Sequence, residues 1–319
     1  MINFRFITNI IGKLLLVESA FLILCIIVAL IYKENDLMAF IYSSIITLGV
    51  GSFMIFSVKV KDRILAKKDG YFIVTCTWII FTIFGCLPYL FGGTIPSIVD
   101  ALFETMSGFT TTGSSILNDI DSLPHATLFW RSLTQWMGGL GIIVLLLAIL
   151  PSLGIEGRDL FVAEVPGPTH DKFTATFRST ARRMWYLYIS LTAIQAILLF
   201  LGDMDLFDAI CHSFTTMATG GYSTKQASVA YWNSAYIQYV IIAFMFIAGT
   251  NFGLLYVMIH GKFQKLFRDD EFRLYLYIVL GASAIIAIVL FLNGYANLEL
   301  SIRESLFQVV SILTTTGFA

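Results

Sequence analysis

The residues able to do chemistry fall in three stretches that repeat one another. Residues 100–115 read DALFETMSGFTTTGSS, residues 208–223 read DAICHSFTTMATGGYS, and residues 304–319 read ESLFQVVSILTTTGFA. Each runs from an acid through small and apolar residues to a short tail closed by glycine. Gly113, Gly221 and Gly317 each stand 13 residues after the leading acid. The tails, TTTG at 110–113, ATGG at 218–221 and TTTG at 314–317, offer backbone carbonyls and hydroxyls. These are hard, uncharged oxygen donors of the kind that replace the hydration shell of a potassium ion. Glycine lets the backbone turn so that successive carbonyls face one axis.

The same stretches share a start signal. Ser97 precedes Asp100, Asp205 precedes Asp208, and Ser301 precedes Glu304, each by three residues. Ser or Asp caps the first free N–H groups of a helix, and an acid three residues on completes a capping box and suits the positive helix end. Each stretch is therefore expected to hold a half-helix of about 13 residues, too short to cross a bilayer. Its carbonyl end, carrying partial negative charge, would lie at membrane depth as a cation site.

The rest of the chain must bring these segments together. Of its 319 residues 57% are hydrophobic and 13% charged, against roughly 45–50% and about 25% in soluble domains. Mean hydropathy is +0.82, and apolar runs of spanning length lie at 14–31, 38–58, 71–92, 128–151, 184–201, 231–260 and 272–292. The expected fold is an all-α polytopic membrane protein. Cys25, Cys76, Cys86 and Cys211 all sit in apolar segments without metal-ligand spacing. With the N-terminus placed in the cytoplasm, 16 of the 20 basic residues fall on inner segments, as the positive-inside rule requires. The three half-helices then enter from the outer face, whose excess of acids would concentrate cations. Trp130 and Trp232 would anchor outer span ends and Trp185 an inner one.

The pattern of span, half-helix, span divides the chain. Residues 1–68 supply two extra spans, 69–152 a first membrane–pore–membrane unit, 153–179 a cytoplasmic loop, 180–260 a second unit, and 261–319 a basic loop with an incomplete third unit. Internal repeats of this kind place a site on their pseudo-symmetry axis. Other polar residues have humbler readings. Gly138, Gly139 and Gly141 would admit a neighbouring helix or form a hinge. Arg131 would snorkel to the interface or stand at a pore mouth. Glu18 would pair with Lys13 or reach headgroups. Glu104, His212 and Gln308 share one register position, where contact with loop backbone or water is expected.

ETMSGFTTTGSS at 104–115, WRSLTQWMGGLGIIV at 130–144, FTTMATGGYST at 214–224 and SILTTTGF at 311–318 resemble the Trk/Ktr/HKT superfamily of potassium transporters. The two additional N-terminal spans resemble its TrkH type. The resemblance implies four units around a pseudo-fourfold axis. It also implies potassium coordination by Thr111, Thr112 and Gly113, by Thr219, Gly220 and Gly221, and by Thr315, Thr316 and Gly317. Gly220 replaces the threonine of the other two copies. No cofactor is implied beyond the transported potassium ion. The expected partners are the lipid bilayer, a second copy in a homodimer, and a cytosolic nucleotide-binding subunit of the TrkA type. That subunit would dock on 152–183 and 261–273, and no nucleic acid is expected. The expected location is the bacterial inner membrane. Because the chain ends two residues after Gly317, a gating loop in the third unit and the whole fourth unit are missing, and a truncated sequence is expected.

Rival readings follow from the same residues. A coupled secondary transporter needs a carboxylate in its pathway, and no span centre offers one. An intramembrane enzyme needs paired catalytic groups at depth, whereas Asp203, Asp205 and Asp208 cluster in an outer loop; an enzyme is not expected. A non-conducting fragment that associates with a complementing chain stays open.

Overall fold

A computed structural model describes residues 4–58, 67–139, 141, 177–261, 263–294 and 297–319. The later part of the 128–151 stretch and most of the 153–179 loop lie outside the described residues. What is described is all helix, with no strand among the described residues. Among the described residues five helices are long and apolar enough to cross a membrane, or six if a bent pair counts as one. The chain is a multi-pass membrane protein, and it groups into two compact bodies. One holds Met1–Thr110 and Ser114–Trp185; the other holds Thr111–Gly113 and Tyr186–Ala319.

The first body is built on an antiparallel hairpin of α1 (Phe4–Tyr32) and α2 (Leu37–Phe56). α2 carries no charged residue and α1 only Arg5, Lys13 and Glu18, so the pair is held by fit. The two backbones meet at glycines. A Cβ on Gly12 would lie 2.8 Å from the carbonyl oxygen of Gly51, and one on Gly51 would lie 2.9 Å from that of Gly12. Small residues give this close approach in membranes, where apolar burial alone does not drive helices together. Ser19 donates to the Ser44 carbonyl at 3.1 Å across the same seam. The hairpin turn is latched to the start of α6 (His125–Gly139). Glu34 accepts from the His125 amide at 2.6 Å and faces its Nδ1 at 2.7 Å, while Thr127 donates to Asp36 at 3.1 Å.

Between them run α3 (Lys67–Gly85), the short α4 (Leu87–Gly92) and the half-helix α5 (Ile98–Phe109). Pro88 has no N–H to continue the helix, and the chain breaks at Cys86. Gly85 lies under α5, where an added Cβ would meet Phe109 at 2.8 Å and Thr105 at 2.9 Å. Its carbonyl accepts from Trp130 Nε1 at 2.9 Å. Trp130 is thus fully buried rather than an interfacial anchor. Glu18 is also fully buried, and among the described residues neither of its carboxyl oxygens has a hydrogen-bond partner.

The second body follows α7 (Phe177–Leu201) with a half-helix, α8 (Leu206–Met217), then α9 (Ala235–Ala248), α10 (Phe252–Ile259), α11 (Phe263–Arg268), α12 (Asp270–Leu292) and a last half-helix, α13 (Leu298–Leu313). Its core packs Leu199, Met204, Ile241, Met245, Phe307 and Phe318. The single span expected over 231–260 is not one rod. It begins as a 3-10 turn, Ser228–Tyr231, and α9 meets α10 at a bend of 106°. Gly249 and Thr250 interrupt the helix, and Asn251 restarts it by accepting from the Gly253 amide at 2.9 Å. The apolar run hid the interruption, because these residues scarcely alter its hydropathy.

The glycine seam gives a direct test. Gly12→Leu should wedge α1 from α2 and cost about 1–3 kcal/mol, the usual penalty of overpacking. The expected readout is a lower thermal midpoint in detergent, whereas Gly49→Leu, which meets nothing within 4 Å, should leave the midpoint unchanged.

Candidate cation-binding site

Each half-helix starts on a side-chain cap. Ser97 Oγ accepts from the Asp100 amide at 3.4 Å, and Asp205 accepts from the Phe207 amide at 3.0 Å. The third helix begins four residues earlier than its spacing predicts. Its cap is Asn297, which accepts from the Leu300 amide at 2.8 Å. Ser301 lies inside the helix, buried, with no partner for its hydroxyl among the described residues, and Glu304 is mid-helix. Asp208 has a second task, accepting from the Thr224 hydroxyl at 2.7 Å. Arg303 ties α13 to α9, donating to Glu299 at 2.9 Å and to Gln238 at 2.5 Å.

At the other ends, three sequences take up one backbone path. Thr111, Thr219 and Thr315 have φ of 54°, 51° and 58°, and Gly113, Gly221 and Gly317 have φ of 78°, 77° and 78°. A positive φ is unremarkable for glycine, but for a β-branched threonine it is a genuine outlier. Each such residue carries roughly 1–3 kcal/mol of strain, which persists only where surroundings over-determine it, commonly at functional sites. The local cause is visible in the second and third copies. The Thr219 amide returns to the Thr216 carbonyl at 2.9 Å and the Gly220 amide to Thr215 at 2.8 Å; Thr315 returns to Ile312 at 3.1 Å and Thr316 to Ser311 at 2.9 Å. This is the paired closure of a Schellman motif, with threonine where glycine is usual. The peptides of the described residues being trans, an N–H directed back at the helix sends the carbonyl of the preceding residue away from it. The oxygens of Ala218, Thr219, Thr314 and Thr315 are therefore turned outward from their helices.

The tails also approach one another. A Cβ on Gly221 would lie 1.9 Å from the carbonyl oxygen of Thr316, so only a bare α-carbon fits there. Thr111–Gly113 part from the body that holds their own helix and group with the one holding the other two tails. The Thr316 hydroxyl lies 2.8 Å from that of Thr314, which itself donates to Val310 at 2.7 Å, so it buttresses the third tail. Gly220 has no such hydroxyl.

Behind the tails stand residues to which the sequence gave lesser roles or none; Glu104 meets loop backbone as its register led one to expect, accepting from the Ile116 amide at 3.0 Å. Arg131 does not snorkel: its side chain is 1% exposed, and Nε donates at 3.0 Å to Glu104, which is wholly buried. Ser107 donates to the Ser114 carbonyl at 2.6 Å, and Ser311 at the same register donates to Phe318 at 2.7 Å. Their common spacing from the glycines was the signal that could have found them. Gly138 and Gly139 close α6, and Gly141 has φ of 64°.

Comparison with known proteins places these features in a wider set. The profile of TrkH, described as a cation transport protein, matches residues 36–319. The chain is 41% identical over 320 residues to the Trk system potassium uptake protein TrkH of Escherichia coli K12, covering 99% of this chain and 66% of that one. It is 37% identical over 319 residues to TrkG of the same organism, with the same coverage. The crystal structure of the potassium transporter TrkH from Vibrio parahaemolyticus superimposes with a TM-score of 0.85 at 35% identity, covering all of this chain and 66% of the other. The chain thus spans just under two thirds of the length of these relatives.

Gly221 and Gly317 should respond differently to one methyl group. Gly221→Ala adds a clash to a left-handed residue, about 1–3 kcal/mol of overpacking beyond the roughly 1–2 kcal/mol of backbone strain. Gly317→Ala meets nothing within 4 Å and should show the backbone strain alone. Thermal unfolding of the purified variants should therefore rank wild type, then Gly317→Ala, then Gly221→Ala.

Proposed function

The chain belongs to the TrkH family of cation transport proteins, and from that premise we propose that it is the pore-forming subunit of a Trk-type potassium uptake system. Potassium would be coordinated by Thr111, Thr112 and Gly113, by Thr219, Gly220 and Gly221, and by Thr315, Thr316 and Gly317. The observation that carries this reading is the shared backbone of the tails: a left-handed threonine, then a left-handed glycine two residues on, three times in one chain. Strain repeated in register has a purpose that packing alone does not supply. With the N–H groups folded back onto the half-helices, a row of carbonyl oxygens is left to stand in for the water around a weakly hydrated cation. The printed functions of the relatives, potassium uptake and potassium transport, support the choice of ion.

In this reading the division into units at 69–152, 180–260 and 261–319 sets the tails around one pseudo-fourfold axis. The half-helices enter from the outer face, and the N-terminus lies in the cytoplasm of a cell bounded by its inner membrane. The basic segments 152–183 and 261–273 form the inner surface on which a TrkA-type nucleotide-binding subunit docks, and two copies pair as a homodimer. Within α12 the window of spanning length is only 17% buried, which suits a helix that meets lipid or further protein.

The test is ion discrimination. Expressed in bacteria lacking their own potassium uptake systems, the protein should restore growth at low potassium and carry rubidium in preference to sodium. Gly113→Ser, Gly221→Ser and Gly317→Ser should each reduce the preference by an order of magnitude or so, the equivalent of about 1.4 kcal/mol. A preference for potassium over sodium that survives all three substitutions would sink the assignment.

A further inference from the structure

We propose that Glu104 and His212 are positioning residues for cation selectivity. Each is a buried hydrogen-bond acceptor in a half-helix that captures the hydroxyl of the serine two places beyond the tail glycine and so fixes the strand leaving the tail. The inference rests on the reading of 111–113 and 219–221 as coordinating tracts.

Glu104 and His212 are each the seventh residue after their caps, Ser97 and Asp205. Both are wholly buried. In the first copy Ser115 donates its hydroxyl to Glu104 Oε1 at 3.0 Å, and the Ile116 amide donates to Oε2 at 3.0 Å. Arg131 braces both partners, reaching Glu104 Oε1 at 3.0 Å and Ser115 Oγ at 3.3 Å. The serine oxygen also accepts from the Leu117 amide at 3.2 Å. Its one hydrogen and two lone pairs are all engaged.

In the second copy the acceptor is chemically unrelated. His212 Nδ1 faces the Asp208 carbonyl at 2.8 Å. A carbonyl only accepts, so Nδ1 carries the hydrogen and the neutral ring has Nε2 left as its acceptor. Nε2 lies 3.0 Å from Ser223 Oγ, and Ser223 in turn accepts from the Lys225 amide at 3.0 Å. The imidazole is held from the sides by Trp232, edge-on at 4.8 Å, and by Phe318 at 5.9 Å. A carboxylate and an imidazole thus perform one act on serines at one register, Ser115 and Ser223. Packing needs demand no such coincidence. A requirement that the serine stay fixed does.

The third copy is wired otherwise. Gln308 holds the register position and lines a cavity of about 230 Å³. The residue two beyond Gly317 is Ala319, whose amide donates to Ser228 Oγ at 3.2 Å and whose carbonyl accepts from the Ala230 amide at 3.2 Å. Backbone and a loop serine replace the half-helix acceptor there.

A coordinating strand discriminates by size only if it cannot close around the smaller ion. A strand released from its clamp would follow sodium inward and bind it as well as potassium.

The experiment is thermal unfolding of the purified chain, titrated with potassium, sodium or choline chloride, since an ion that binds only the folded state raises its stability by a known function of concentration. In wild type, potassium should stabilise at lower concentration than sodium, and choline not at all. Ser223→Ala and His212→Leu should each shrink the potassium-to-sodium ratio by roughly five- to tenfold, about what one buried hydrogen bond supplies. The double variant should be no worse than either alone, because the two residues act through one contact. His212→Gln, whose amide oxygen can accept, should recover much of the ratio, and Ser115→Ala should repeat the effect in the first copy. Should His212→Leu not fold, Ser223→Ala decides alone. Gly221→Ser separates the two levels. If it destroys the ratio while Ser223→Ala and Ser115→Ala preserve it, the clamp is refuted and the coordinating tract stands. If the ratio survives Gly221→Ser as well, the tract itself is refuted and the clamp with it.

Discussion

Inside a bilayer no water is available to satisfy a backbone group that leaves a helix, so irregular chain at that depth must be clothed by protein. The rest of this structure depends on that rule. Three half-helices stop part-way and hand the chain to non-helical tails. At the second and third stops the exposed N–H groups are consumed locally, by closure onto the last turn of the helix. Hydroxyls of Ser107 and Ser311 then take the carbonyls just beyond the tails. What is turned outward is carbonyl oxygen, that of Thr219, Thr314 and Thr315 among them. The surplus of acceptors over donors is a direct outcome of satisfying the amides first, and the proposed potassium coordination draws on it without an ionised ligand.

Charge is kept close by but not in the tails. Glu104 and Arg131 are fully buried and face each other at 3.0 Å. Removing either would strand an ion in a medium that penalises it by about 3–5 kcal/mol, which explains why the pair is surrounded by further donors and acceptors. The corresponding position in the second half-helix is filled by His212, whose buried imidazole lies between a carbonyl and a serine hydroxyl. The same scaffold position thus tolerates different charge as long as its acceptor is retained. The helix caps show similar freedom: a serine, an aspartate and an asparagine start the three half-helices.

Much of this was legible in the sequence. The apolar runs, the half-helices and the equal spacing from acid to glycine all reflect local composition, which a one-dimensional reading captures. The positive φ at Thr111, Thr219 and Thr315 was not legible, because threonine rarely adopts it, and at Thr219 and Thr315 it is the closing hydrogen bonds that enforce it. Asn297 was missed because Ser301 and Glu304 reproduced the spacing of the other caps, while the helix had already begun one turn earlier. Arg131 was misjudged because its partner lies 27 residues away, and an arginine next to a tryptophan at a span end has a common interfacial explanation. The break after Ala248 was invisible because its flanks are as apolar as any span in the chain.

That break bears on how the molecule is put together. At about 1.5 Å per residue, the 14 residues of α9 reach some 21 Å, short of the hydrocarbon thickness, yet residues 231–260 read as one insertable stretch. The bend strips the Phe246 carbonyl of its regular partner, and the replacements are the Thr250 hydroxyl at 2.9 Å and the hydroxyl of Tyr275, on α12, at 3.3 Å. Gly249 itself lies where an added carbon would come within 2.6 Å of Thr314. One of those supports lies within the stretch itself, and the others lie on α12 and α13, 29 residues or more further along the chain. The corner is therefore not a property of the segment that carries it: its shape is completed by helices that follow it, and the segment on its own would lack two of its three supports.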